Sequence, residues 1–215
     1  MKTCISLKNK NRDALPEHFR DDDVRFSETL VTHFLEKFTQ PDDLVLDPFA
    51  GFGTVLLVAE KMGHTPLGIE YDAARVDYIQ SRLKHKEQII HGDSRCLSEY
   101  DLPPIDFSIT SPPYMGKDDF ENPFTAYTTP GKGYQSYLDD IQQIYAQIAQ
   151  LMKPNAYAVV EVANIKQGEH VTTLAWDVGK VIANLLHFYG ETIIDWDAYG
   201  YGYTHSYCLL FRKMA

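Results

Sequence analysis

The sequence predicts an α/β fold built on a mainly parallel sheet of seven strands, with an antiparallel C-terminal hairpin at the edge. Three observations predict it. Short apolar runs alternate with longer segments whose apolar residues recur at helical spacing. Glycines and acidic residues follow the runs repeatedly, at what would be one end of the sheet. The last two runs have no helical segment between them, so they pair as a hairpin.

Each element follows in chain order. Residues 1–23 read as a polar arm ending in an acidic triplet, and 24–215 as one domain. Ser27 is placed to cap a helix running to Phe38, with Leu30, Val31, Phe34, Leu35 and Phe38 on one face, and Pro41 ends it. "LVLD" (44–47) is a buried strand, "DPFAGFGT" a turn, and 54–62 a helix. "TPLGIE" (65–70) is the second strand, and Asp72 caps a helix to about Lys84. "QIIHGD" (88–93) and "PIDFSIT" (104–110) are the third and fourth. A loop over about 115–136 is long enough to suggest mobility and a role at the substrate. Leu138, Ile141, Tyr145, Ile148 and Met152 then mark a helix closed by Pro154. "YAVVEVA" (157–163) is the fifth strand, a helix covers 172–187, and "TIIDWDAYG" and "SYCLLFRK" form the hairpin around "YGYTHS".

Composition narrows the function classes. A 215-residue chain with 44% hydrophobic residues supports a sizeable core. It has no apolar run long enough to span a membrane and no signal-peptide pattern at the start, which suggests a cytoplasmic protein. Cys4, Cys96 and Cys208 lack pair spacing and read as reduced thiols, and the histidines show no metal-ligand spacing. A formal charge of −10 argues against broad nonspecific nucleic-acid binding while leaving room for a local basic groove.

The turn after the first strand is the first candidate site. Gly51 and Gly53 permit close backbone approach to a ligand. Leu56 stands where a dinucleotide fingerprint needs its third glycine, and Asp47 with Pro48 would disfavour a pyrophosphate and suit an amine. Glu70, ending the second strand, can accept both ribose hydroxyls. Tyr71 can pack on an adenine ring, and Asp93 can accept from its amino group. Together these strand-end residues favour an adenosine ligand without phosphate. After the fourth strand comes Thr110-Ser111-Pro112-Pro113-Tyr114. Its two prolines fix two φ angles and remove two donors, making a stiff support for a reacting group.

"VLDPFAGFGT", "GIEYD", "HGDS" and "TSPPY" resemble the motifs of S-adenosylmethionine-dependent methyltransferases that act on nucleobase amino groups. The TSPPY form is similar to that of DNA cytosine-N4 enzymes, whereas adenine-N6 enzymes more often carry an Asp-Pro-Pro-Tyr type. "VRFSETLVTHFL" resembles the family's N-terminal cofactor motif and "SYCLLFRK" its terminal strand, so the likeness covers roughly 24–213. It implies a Rossmann-like class I methyltransferase fold. It also implies S-adenosylmethionine held by Phe26, Asp47, Pro48, Ala50, Gly51, Phe52, Gly53, Thr54, Glu70, Tyr71, Asp93 and Ser94. Ser111, Pro112, Pro113 and Tyr114 would hold the target amine. An exocyclic base nitrogen is a poor nucleophile because its lone pair is delocalised into the ring. Ser111 and the Pro112 carbonyl can accept its two hydrogens and turn the lone pair toward the methyl, while the Tyr114 ring stacks on the base. The implied partner is nucleic acid, DNA favoured over RNA, with a recognition subunit or a homodimer as further expectations. The rivals are an RNA base methyltransferase, a glutamine side-chain methyltransferase, and a cofactor-binding subunit inactive on its own. Tyr199, Tyr201, Tyr203 and Tyr207 serve either base stacking or core packing.

Overall fold

The computed structural model describes residues 2–9, 13–22, 25–125, 133–199 and 201–215. Its centre is an eight-stranded sheet. In chain order the strands are β1 (Cys4–Leu7), β2 (Leu44–Asp47), β3 (Thr65–Glu70), β4 (Ile89–His91), β5 (Ile105–Thr110) and β6 (Met152–Val162). A small separate hairpin, β7 (Ile165–Gln167) and β8 (His170–Thr172), comes next, followed by β9 (His187–Trp196) and β10 (His205–Arg212). The helices are α1 (Glu28–Phe38), α2 (Thr54–Lys61), α3 (Ala73–Gln80), α4 (Tyr134–Leu151) and α5 (Leu174–Ala183).

The sheet order is β1-β9-β10-β6-β5-β2-β3-β4. The pairs from β6 through β4 are parallel, and β10 is antiparallel to both β6 and β9. The parallel α/β class with its antiparallel β9–β10 hairpin is the expected one. The strand count is eight rather than seven because β1 pairs in parallel with β9, Cys4 opposite Ile193 and Leu7 opposite Trp196. The hairpin is therefore inside the sheet, and β1 is the edge. The segment read as a polar arm thus contributes a strand, and its "CISL" was too short for alternation to announce it.

Apolar residues fill both faces, as a parallel sheet requires. On one face α1, α2 and α3 bury Leu30, Phe34, Val55, Leu56 and Ile79 against β2 and β5. On the other, α4 and α5 bury Ile141, Tyr145, Ile148, Val178 and Ile182. Asp72 caps α3 as expected, accepting from the Arg75 amide at 3.0 Å. Ser27 precedes α1 but makes no side-chain cap; its hydroxyl lies against Thr29 at 3.2 Å. The chain runs β2, β3, β4 outward and then crosses back to β5 on the other side of β2. The strand order reverses between β2 and β5, and the crevice beyond their carboxyl ends is where such sheets take ligands.

Candidate active site

Asp47 ends β2 and is buried, at 3% exposure. Its Oδ1 accepts both from the Phe49 amide at 3.0 Å and from the Thr110 hydroxyl at 2.6 Å. The second bond joins the glycine turn to the first residue of TSPPY across the strand reversal. Both donors sit on Oδ1, and Oδ2 takes none from the described residues. Burial pushes the carboxyl up to about 7, held back by the Thr110 and Phe49 donors and raised further by nearby Glu70.

Glu70 ends β3, also buried, and bridges two turns. Oε2 accepts from the Gly51 amide at 2.8 Å and Oε1 from the Asp72 amide at 2.9 Å. Burial raises its carboxyl, opposed by these amides and by Arg75. Each oxygen retains a lone pair for a hydroxyl.

The two glycines of the turn serve different ends. Gly51 has φ +56, and a Cβ there would meet only the Phe49 carbonyl at 3.9 Å, so space is open where a ligand would approach. Gly53 has φ +77, and a Cβ there would strike Ile79 Cγ1 at 2.8 Å, so it is needed for the packing of α2 on α3. Ala50 is buried with its amide on the Ile69 carbonyl at 2.9 Å, and Thr54 is the buried first residue of α2. The Phe52 ring is taken up by Phe19 at 5.1 Å, Tyr78 at 6.1 Å and the Arg75 guanidinium at 4.7 Å. Phe26 packs against the core on the α1–α3 face. The Ser94 hydroxyl donates to the Pro48 carbonyl and ties the end of β4 to the turn. Tyr71, directly after β3, is 46% exposed. Asp93 is held in a fork by Arg95, whose Nη2 lies 2.6 Å from Oδ2 and whose Nε lies 3.1 Å from both oxygens.

TSPPY leaves β5 beside a buried carboxylate that the sequence reading had not singled out. Glu161 lies on β6, opposite Cys208 of β10. Its Oε2 accepts from Ser111 Oγ at 2.8 Å and the Tyr114 hydroxyl at 3.2 Å, and Oε1 from the Tyr199 hydroxyl at 3.1 Å. Ser206 adds a fourth hydroxyl, itself fixed by Trp196 Nε1 at 2.9 Å. Burial raises the Glu161 carboxyl, and these four donors oppose the rise. Burial and the charge of Glu161 hold the Tyr114 phenol well above its ordinary value. The Tyr114 ring lies 4.7 Å from that of Tyr201. The Pro113 carbonyl is taken by the Tyr137 hydroxyl at 3.0 Å, whereas the Pro112 carbonyl receives no donor from the described residues. The visible signal for Glu161 was a lone charge inside the apolar run "YAVVEVA".

The first part of the loop after TSPPY is anchored. Met115, Asn122 and Phe124 are buried, the Lys117 amide bonds Thr172 Oγ1 at 2.9 Å, and Phe124 stacks on Tyr137 at 5.2 Å and lies 5.5 Å from Phe49. Residues 126–132, the middle of the expected mobile loop, lie outside the described residues.

The open space at Gly51, the unused Oδ2 of Asp47, the spare lone pairs of Glu70 and the exposed Tyr71 ring fit an amino-acid-bearing adenosine ligand. Among the described residues, no helix is long and apolar enough to cross a membrane.

Comparison with known proteins bears on the family and the fold. Residues 2–81 match the N6/N4 methyltransferase family profile, described as DNA methylase. The Type II methyltransferase M.HinfI of Haemophilus influenzae is 37% identical over 57 residues, which are 26% of this chain and only 16% of that enzyme. TrmN from Thermus thermophilus superposes with a TM-score of 0.66 at 14% identity, over 91% of this chain and 52% of its own. A TehB-like SAM-dependent methyltransferase from Corynebacterium glutamicum gives 0.58 at 14% identity, over 91% and 92%. The T. thermophilus 16S rRNA N2 G1207 methyltransferase RsmC, in complex with AdoMet and guanosine, gives 0.57 at 17% identity, over 92% and 45%. The fold is that of the class I SAM-dependent methyltransferases.

Proposed function

We propose, starting from a chain of the DNA N4/N6 methyltransferase-like family, that it moves a methyl group from S-adenosylmethionine to an exocyclic amine of a nucleobase, with cytosine N4 in DNA as the favoured target. The observation that carries this reading is the 2.6 Å bond from Thr110 to Asp47. It sets the end of the ligand-fitting turn against the TSPPY turn, as direct transfer between two bound molecules requires.

When bound, S-adenosylmethionine supplies an electrophilic sulfonium methyl. Asp47 Oδ2 is placed to receive its ammonium, the Gly51 backbone to pass beside its chain, Glu70 to accept its ribose hydroxyls, and Tyr71 to cover its adenine. On the target side, Ser111 Oγ and the free Pro112 carbonyl accept the two amine hydrogens. Both acceptors are fixed, Ser111 by Glu161 and the turn by its prolines, so little reorganisation is needed as positive charge develops on nitrogen. The Tyr114 ring offers a stacking face. A base in a duplex would have to leave its stack to reach this site. Three free thiols suit a reducing compartment such as the cytoplasm.

The test is incubation with a labelled methyl donor and, separately, DNA, tRNA and protein, followed by mass identification of the methylated unit. N4-methylcytosine in DNA is expected. Label on an RNA base would move the substrate to RNA, and label on glutamine would overturn the nucleobase reading. Transfer seen only after a second protein is added would make the chain the cofactor-binding partner of a recognition subunit.

A further inference from the structure

Among the described residues, four hydroxyls and no cation surround Glu161. Ser111 approaches from the TSPPY turn, Tyr114 from three residues further on, Tyr199 from the β9–β10 connection, and Ser206 from β10. Cys208, a buried thiol, faces it from β10 as well. No lysine, arginine or histidine of the described residues forms an ion pair with this carboxylate. Packing alone would be served better by an apolar side chain, because a buried carboxylate without a cation is costly even when hydrogen-bonded.

The cost has a consequence at Ser111. A serine hydroxyl carries one hydrogen and two lone pairs. The Ser111 hydrogen is directed at Glu161 Oε2, 2.8 Å away. What Ser111 can show a bound base is therefore only lone pairs. The other polar group of the turn, the Pro112 carbonyl, is an acceptor by nature. An amino group brings two hydrogens to two acceptors. An oxo group in the same place brings lone pairs against lone pairs, which a low-dielectric site penalises heavily.

We infer that Glu161 is a positioning residue that makes Ser111 an acceptor-only contact, so that the site takes amino-bearing bases and rejects their oxo counterparts. The inference rests on the nucleobase reading above and goes further than it, since it assigns the selection to a residue outside the TSPPY motif. Glu161→Gln places an N–H donor in the network and lets the Ser111 hydrogen turn toward the ligand. Glu161→Asp keeps the charge but draws the carboxylate back from Ser111.

The experiment uses the full chain saturated with S-adenosylhomocysteine and follows the binding of cytidine, uridine, adenosine and inosine by saturation-transfer NMR. The wild type should bind the amino member of at least one pair roughly tenfold more tightly than its oxo partner. Both Glu161 variants should reduce that ratio to about threefold or less, with the oxo nucleoside gaining affinity in Glu161→Gln, while S-adenosylhomocysteine affinity stays unchanged. If Glu161→Gln does not fold, Glu161→Asp alone decides. A variant that folds and keeps the wild-type ratio overturns the role of Glu161 and leaves the methyltransferase reading standing. A wild type that binds none of the four nucleosides, or prefers neither amino member, overturns the inference; if the methyl group also appears on no nucleobase, the parent reading falls with it.

Discussion

At Tyr114 the ring and the hydroxyl have separate partners. The ring lies beside Tyr201, and the hydroxyl lies 3.2 Å from both Glu161 and Tyr199. From the motif alone, stacking would make the hydroxyl dispensable. With Glu161 behind it, Tyr114→Phe should cost about 1 kcal/mol of transition-state stabilisation, one hydrogen bond to a carboxylate that keeps three others. Tyr114→Ala should lose roughly 1–3 kcal/mol more with the stack. Single-turnover kinetics would separate the two, and equal rates for Phe and Ala would remove the ring from the site. The glycines make a second contrast. Gly53→Ala meets Ile79 at 2.8 Å and should lose about 2 kcal/mol of stability through overpacking and left-handed strain. Gly51→Ala meets only the Phe49 carbonyl, at an unstrained 3.9 Å; its left-handed φ should cost about 1 kcal/mol in stability, and the variant should lose measurable affinity for S-adenosylhomocysteine. Thermal melts paired with calorimetry check both, and the opposite pattern would move the ligand to the Gly53 side. Motif residues were legible because spacing places them at strand ends. Glu161 was not, because its partners at 111, 114, 199 and 206 are distant in sequence and nothing local announces that they meet.

At the level of elements, the parallel core was readable because buried strands and amphipathic helices follow local periodicity. β1 and the β7–β8 hairpin were not, since strands of four and three residues carry too little pattern and are made by their neighbours. The segment after TSPPY shows the same limit. Its length argues for mobility, yet a row of rings from Phe49 through Phe124 to Tyr137 and Tyr134 fastens residues 115–125 between the glycine turn and α4. Phe124→Ala should therefore cost about 3 kcal/mol, in the range for a buried aromatic, and denaturant melts would show it. Limited proteolysis without ligands should find no early cut within 115–125; early cleavage there would contradict the anchoring.

For the molecule as a whole, pH is the informative variable. Burial raises the carboxyls of Asp47, Glu70 and Glu161 above their ordinary values. For Asp47 the window runs from the ordinary value of 3.8 to about 7. Across it the folded state keeps a proton that the unfolded state has lost, so the ligand-free protein should lose stability as pH rises. Asp47→Asn should flatten that part of the profile. An ammonium docking on Asp47 favours the ionised form, so S-adenosylhomocysteine should bind more tightly above about pH 7 than below and should release a proton when it binds near neutrality. Calorimetry in buffers of different ionisation enthalpy measures that proton directly, and uptake in place of release would place the amine elsewhere. The charge of −10 adds a prediction for nucleic acid: few phosphate contacts, and a slope of log affinity against log salt of about −1 to −3.

The outermost strand sets an order of assembly. Ser6 of β1 and Asp195 of β9 are 189 residues apart, and their side chains meet at 3.1 Å. A four-residue strand brings little free energy to offset closing so large a loop, so it cannot serve as a nucleus. It must wait until β9 has been laid against β10, and β10 against β6. The first ladder in the chain is then among the last to form in refolding and the first to open in the native state. Amide exchange should record this as weak protection across Cys4–Leu7 beside strong protection at β2 and β5, with the Glu161 network still closed while the edge strand is free.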